Sequence, residues 1–265
     1  MSTIENFWDP EAYSQFLDAR TKPAHDLLSA ISETVTPNLI YDLGCGPGNS
    51  TILLKSRWPR AKIIGVDSSE NMLKLARSKY PQIEFIMADI THFSTPEKSD
   101  LIFANASLQW VDNHESLIPK LVSQLNHQGI LAIQMPNNFH SPSHQIIIKI
   151  LQNNPAWQGL LKNLCYGAMT KPRYQLPWYY DLLTKIGVRS LQLWETKYFQ
   201  EMLSYQDIFD WVKGTALQPV LSIMNAKNQI QFAKSYIQAI SKEYPLQKNH
   251  KVLLPFRRIF MVGSI

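Results

Sequence analysis

The sequence predicts an α/β fold: a doubly wound, mostly parallel sheet with helices on both faces and a helical insertion after the fifth strand. Three observations predict it. Short apolar runs rich in Ile, Val and Phe recur at 38–44, 61–67, 83–90, 100–107 and 129–136. Stretches of helical spacing separate them, and strand–helix–strand at this period closes a parallel sheet. The second half changes character, with helical spacing from 141 to 186 before strand-like runs return.

Each element has its own signal. "NLIYDLG" ends in a glycine and "AKIIGVD" in an acid, as strands do where they run out into loops. Over 68–80, Met72, Leu75 and Ala76 recur at three and four residues. Ser68 or Ser69, followed by Glu70 and Asn71, suits that helix's start. Over 114–125, Leu117, Leu121 and Leu125 repeat the pattern. Pro155, Pro172 and Pro177 break the inserted helical region. "VRSLQLWETKYFQ" (188–200) reads as a long strand and "VLLPFRRIFMVG" (252–263) as the last one. Between them 204–213 and 226–243 read as helices, the second with Ile230, Ala233, Ile237 and Ile240 on one face.

Composition narrows the function classes. The chain has 265 residues, 45% hydrophobic and 18% charged, enough for one large domain or one with an insertion. Cys45 and Cys165 have neither metal-ligand spacing nor a disulfide framework, which points to a reducing, cytoplasmic setting and no metal. "MSTIENFWDP" lacks the apolar core of a signal peptide, and no apolar run is long enough to span a bilayer. The net charge of +5 is scattered rather than clustered, which argues against a nucleic-acid partner. Trp58, Trp157 and Trp211 read as packing residues rather than stacking platforms.

"LIYDLGCGPGNST" (39–51) carries the chemistry. Gly44, Gly46 and Gly48 let the backbone turn sharply and meet a ligand closely. A dinucleotide fingerprint places its third glycine at position 49, which is Asn49 here. Asp42 at the strand tip repels a pyrophosphate and suits a cationic ligand instead. S-adenosylmethionine offers an ammonium and a sulfonium and has no phosphate. Asp67 ends the second run, where a carboxylate grips ribose hydroxyls. Asp89 ends the third, where it can accept from an adenine amino group. Asn105 to Ser107 end the fourth. Cys45 reads as a small packing residue rather than a nucleophile.

On these residues the chain resembles class I S-adenosylmethionine-dependent methyltransferases. More narrowly it resembles the trans-aconitate 2-methyltransferase family, over nearly its whole length. The segments that carry the likeness are "WDPEAYSQFLDARTKPAHDLL" (8–28), "ANASLQWVDNH" (104–114), "QMPNN" with "PSH" (134–144), "WETKYFQ", "WVKGT" (211–215) and "LLPFRRIFMV" (253–262). The resemblance implies a Rossmann-like, seven-stranded mixed sheet ending in an antiparallel hairpin of the runs near 190–200 and 252–262. It implies methyl esterification of a small polycarboxylic acid. It divides the chain into an N-terminal helical lid (1–30), a cofactor-binding core (31–140), a helical insertion capping the substrate (141–187) and a C-terminal part completing the sheet (188–265, with a helical excursion at 204–245). Gln200 and Gln218 stand where a histidine and an arginine are expected, and Asn137 where an Asp is expected.

The expected cofactor residues are Tyr13, Phe16, Arg20, Asp42, Gly44, Cys45, Gly46, Asp67, Ser68, Met72, Asp89, Ile90, Asn105 and Ala106. Tyr13, Phe16 and Arg20 share one helix face and suit a lid. A carboxylate nucleophile needs no general base, so no catalytic residue is assigned, and Asn105, Trp110 and Tyr198 are positioning candidates. Carboxylate binders are sought among Arg20, Arg173, Lys213, Arg257 and Arg258, with Tyr198 as a neutral donor; the expected substrate set is Tyr198, Lys213 and Arg258. Alternation along a strand puts Arg257 and Arg258 on opposite faces. S-adenosylhomocysteine is the expected product, and a monomer or weak dimer the expected state. Two further readings stand beside this one: a malonyl-carrier-protein methyltransferase of biotin synthesis, and a methyltransferase-like subunit that binds cofactor without turnover.

Overall fold

Seven apolar runs become seven strands: β1 (Leu39–Leu43), β2 (Lys62–Asp67), β3 (Glu84–Met87), β4 (Ser99–Asn105), β5 (Leu125–Pro136), β6 (Arg189–Met202) and β7 (Val252–Ser264). They form one sheet in the order β3-β2-β1-β4-β5-β7-β6. The first five are parallel, and β7 lies antiparallel between β5 and β6. The computed structural model describes residues 17–164 and 174–265, with side chains from residue 21 onward in those spans.

The helices are α1 (Leu17–Ser29), α2 (Asn49–Arg57), α3 (Glu70–Lys79), α4 (His114–Ser123), α5 (Pro142–Asn153), α6 (Leu176–Lys185), α7 (Tyr205–Lys213), the short α8 (Gln218–Leu221) and α9 (Ala226–Glu243). Their starts follow ordinary capping chemistry. Ser69 accepts from the Met72 amide, Ser204 and Asp207 form a capping box, and Asn225 accepts from the Asn228 amide. Among the described residues no helix is long and apolar enough to cross a membrane.

Strand alternation divides the core. One face carries Ile40, Leu101, Phe103, Ala132, Phe256 and Phe260 and is covered by α1, α2, α5, α7 and α9. The opposite face carries Tyr41, Ile102, Ala104, Ile133 and Met261 under α4 and α6. By the same alternation Asp42, Asn105, Gln134, Arg258 and Tyr198 all stand on the first face. Polar residues on five strands thus share one side of the sheet.

Several boundaries differ from expectation. The third strand stops at Met87, so Asp89 lies in the following turn rather than at a strand end. Strand β5 begins at Leu125, four residues early. On α9 the buried stripe is Phe232, Tyr236 and Ile240, while Ile230 is exposed; the aromatics win that face because they fill more of the space against α5 and α7. Trp58, Trp157 and Trp211 are all buried packing residues.

Candidate active site

The three glycines do different things. All have positive φ: 71° at Gly44, 54° at Gly46 and 88° at Gly48. A Cβ on Gly44 would come within 2.2 Å of the Ser107 Cβ, and one on Gly48 within 2.8 Å of the Tyr80 ring. Those two are small so that the protein can pack on itself. A Cβ on Gly46 would meet nothing within 4 Å among the described residues. Gly46 is the glycine that faces open space.

Two carboxylates bracket this loop. Asp42 is fully buried, and its Oδ2 accepts from the hydroxyls of Ser50 (2.7 Å) and Thr51 (2.6 Å) in the first turn of α2. Among the described residues its Oδ1 has no hydrogen-bond partner. Burial pushes the carboxyl up to about 6; the hydroxyls of Thr51 and Ser50 oppose that, and nearby Asp67 adds to it. Asp67 accepts from the Gly46 amide and from the Ser69 amide, both at 2.8 Å. It fixes the open glycine, and the Ser68 amide bonds the same carboxylate. Burial raises its carboxyl too, against those amide bonds.

The turn after β4 is held from several sides. Ala106 sits at φ 53°, a strained position for a residue with a Cβ. Its amide donates to the Gln134 carbonyl, and Gln109 donates to its carbonyl. Buried His114 meets the Leu108 carbonyl through Nε2 at 2.9 Å. A carbonyl only accepts, so Nε2 carries the proton and Nδ1 accepts from the Tyr179 hydroxyl at 2.7 Å. Asn105 Oδ1, Ser107 Oγ and Gln109 Oε1 are buried here without hydrogen-bond partners among the described residues. Half-buried Trp110 closes the turn.

Other expected residues fall less centrally. Asp89 has an exposed side chain; burial pulls its carboxyl up slightly, but bonds from the Thr91 hydroxyl and amide and the charge of His92 bring it below the usual range. It is a turn cap in this conformation. Cys45 Sγ is buried near Phe85 and α3, so only its backbone can meet a ligand. Ser68 is exposed, Met72 buried, and Ile90 half-buried against the core. Tyr13, Phe16, Arg173 and the side chain of Arg20 lie outside the described residues.

On the substrate side, Arg258 is only 8% exposed, with its guanidinium 5.3 Å from the Phe256 ring centre. Arg257 faces outward and pairs loosely with Glu195 at 3.7 Å. Tyr198 departs from expectation. It stacks on Phe256, and its hydroxyl donates to Asp26 of α1, so it ties α1 to β6 instead of offering a donor to a carboxylate. Lys213 departs as well: it ends α7 exposed, where a water-excluding pocket does not enclose it. Asn137 donates to Gln175 and to Glu195, both at 3.2 Å; an Asp there would repel Glu195. His144, unforeseen from the sequence, lies beside Arg258; burial and the guanidinium bring its imidazole down to about 4. A groove of about 650 Å³ opens at the other end of the sheet, by Asn38, Asp100 and Ser264, remote from the glycine loop.

Known proteins resemble this chain in sequence. A family model described as a methyltransferase domain matches residues 40–129. Trans-aconitate 2-methyltransferase of Yersinia pestis (strain Pestoides F) is 43% identical over 256 residues, 97% of each chain. That of Escherichia coli (strain ATCC 8739) is 43% identical over 257 residues, again 97% of each.

The chain belongs to the trans-aconitate 2-methyltransferase family.

Solved structures support its fold. The YcgJ protein of Bacillus subtilis superposes with a TM-score of 0.58 at 13% identity, covering 91% of this chain and 97% of its own. Phosphoethanolamine N-methyltransferase 2 of Haemonchus contortus, solved with S-adenosyl-L-methionine, gives 0.56 at 13% identity, over 91% of this chain and 52% of its own. The expectation of an S-adenosylmethionine-dependent methyltransferase on a Rossmann-like sheet is met. The residues fit that cofactor: the buried, unpartnered Asp42 Oδ1 suits an ammonium, and Gly46 leaves room for close approach.

Proposed function

We propose that this methyltransferase esterifies one carboxylate of a small polycarboxylic acid, with trans-aconitate the first acid to test. One observation carries the reading beyond the family match: a buried arginine, Arg258, stands on the same sheet face as Asp42. A guanidinium pairs with a carboxylate through two parallel bonds, and its fixed charge is worth more where water is excluded.

When bound, S-adenosylmethionine supplies an electrophilic methyl group. Asp42 would receive its ammonium and Asp67 its ribose hydroxyls, with Gly46 allowing close contact. Arg258 would neutralise a carboxylate of the acid that does not react. The reacting carboxylate is already ionised at neutral pH, so the chain supplies no base. Its work is to hold two reactants aligned, which can contribute ~7–11 kcal/mol. S-adenosylhomocysteine and a monomethyl ester would be the products.

The same reading keeps residues 1–30 as a lid, 31–140 as the cofactor-binding core, 141–187 as a cap and 188–265 as the part completing the sheet. It takes the enzyme as a cytoplasmic monomer or weak dimer. Protection of the N-terminal segment from proteolysis by added cofactor supports the lid, and identical cleavage counts against it. The function itself is tested by a labelled-methyl screen over di- and tricarboxylic acids with a malonyl carrier protein included. Labelling of the carrier alone would replace this reading with the carrier-protein one.

A further inference from the structure

Strand β5 is apolar from Gly129 to Pro136 except at one position. Gln134 sits there fully buried, and among the described residues neither its amide nitrogen nor its amide oxygen meets a hydrogen-bond partner. Such a group is destabilising on two counts, as donor and as acceptor. Native proteins tolerate few of them, and each calls for a reason. Packing does not supply one, since methionine would fill a similar volume with no polar atom to desolvate. Asn105 stands opposite Gln134 in the β4–β5 register, and its buried Oδ1 also lacks a partner. Both point to the face that carries Asp42 and Arg258.

Their order across the sheet gives the reason. Asp42 is on β1, Asn105 on β4, Gln134 on β5, and Arg258 on β7 opposite Pro136. The cofactor's cationic end belongs at the first and the acid's spare carboxylate at the last. Methyl transfer between reactants held at those two ends would take place over the two strands between them, where the unpartnered amides lie.

We propose that Gln134 is the residue that binds the reacting carboxylate of the acceptor, an inference that rests on the carboxyl-methylation reading above. Its amide nitrogen donates to the carboxylate oxygen that does not take the methyl group. The other oxygen's lone pair forms the new O–C bond as the C–S bond breaks, and that bond's electron pair stays on sulfur. One negative and one positive charge disappear together, and no proton moves. A neutral donor suits this position. A cation would hold the nucleophile's charge and blunt its attack, whereas Arg258 can hold the spare carboxylate without that penalty.

The test uses the full chain with Gln134→Met and Gln134→Glu, S-adenosylhomocysteine as the cofactor probe and trans-aconitate as the acid. Gln134→Met should melt at or above the wild-type temperature, because a desolvated amide has gone, and should bind S-adenosylhomocysteine unchanged. Its kcat/KM for the acid should fall roughly ten- to a hundredfold, the range of a hydrogen bond to a charged group, with acid binding to the S-adenosylhomocysteine-loaded protein weakened in parallel. Gln134→Glu should bind the acid more weakly still near neutral pH and recover as the pH is lowered. A purely structural glutamine would show the reverse pattern, a lower melting temperature with acid binding intact, and that result overturns the inference. Wild-type protein that turns over the acid while Gln134→Met does so equally well overturns it alone. Wild-type protein that neither binds nor methylates any di- or tricarboxylic acid overturns the parent reading and this one with it.

Discussion

Thr51 donates its hydroxyl to Asp42 across 2.6 Å, and the other oxygen of that buried carboxylate has no partner among the described residues. The pair joins the tip of β1 to the first turn of α2 and leaves the other oxygen for the proposed ammonium contact. Burial holds this carboxyl up to about 6, above the ordinary 3.8. In the free protein Asp42 therefore keeps its proton to a higher pH than in the unfolded chain. Its stabilising contribution is complete below about pH 4 and is lost as pH rises through about 6. Asp42→Asn should accordingly stabilise the free protein by on the order of 3 kcal/mol at neutral pH and by little at pH 4. Cofactor affinity should move the opposite way: in wild type it should tighten as pH rises through about 6, and in Asp42→Asn it should be weak and flat. Paired melting curves and S-adenosylhomocysteine titrations from pH 4 to 8 check both halves. A variant that loses stability at every pH would mean the carboxylate serves the fold rather than the ligand.

The glycines should separate fold from binding. Gly44→Ala forces a Cβ against Ser107 at an unfavourable φ and should destabilise by roughly 2–5 kcal/mol. Gly46→Ala adds only the φ strain, about 1–2 kcal/mol, and should instead abolish cofactor binding. Thermal melts and cofactor titrations on the two variants should rank them in opposite orders. The same order in both assays would remove Gly46 from the site.

Asp67 should affect both properties. Asp67→Ala takes the acceptor from the Gly46 and Ser69 amides, which should lower stability by roughly 1–3 kcal/mol. Loss of the ribose contact should weaken the cofactor by about 1.5–3 kcal/mol in addition. Calorimetry on folded variant protein checks the second figure, and unchanged affinity would take Asp67 out of the site.

Much of this was legible in the sequence, and the reasons are local. Apolar runs that end in Asp42, Asp67 and Asn105 put those residues at strand tips by periodicity alone. Alternation along β7 puts Arg257 and Arg258 on opposite faces, and the resemblance of that segment to the family points to Arg258 as the inward one. What escaped depends on tertiary contact. Nothing near Tyr198 signals that its hydroxyl meets Asp26, 172 residues away on α1. Gly44 and Gly48 looked like ligand-facing glycines, but the space they leave is filled by Ser107 and Tyr80 from other elements. "IEFIMADI" stays apolar past Met87 and so points to Asp89 as a strand end, whereas pairing with β2 stops at Met87. Gln134 did leave a trace, as the one polar residue in "GILAIQMP". Its importance becomes visible only when its amide is found buried and unpartnered.

Arg258 and Arg257 offer a paired control for the acid pocket. Arg258→Ala should raise the Michaelis constant for the acid strongly, by a few kcal/mol in binding terms, and leave cofactor affinity nearly unchanged. Arg258→Lys should recover part of the loss, since an ammonium keeps the charge without the planar fork. Arg257→Ala should matter little, because that side chain is exposed beside Glu195. Steady-state kinetics with the acid varied at saturating cofactor would reveal this order. If the Arg257 variant were the more damaged, the acid would bind on the other face of β7.

The most direct test of the whole account is product identification. Purified wild-type protein, incubated with methyl-labelled S-adenosylmethionine and trans-aconitate, is analysed by mass spectrometry for the acid and for S-adenosylhomocysteine. The account predicts a singly methylated ester formed in equal amount to S-adenosylhomocysteine, its rate saturating with the acid. Cofactor binding with no methylated di- or tricarboxylic acid, while a carrier protein or nucleic acid takes up the label, would contradict it.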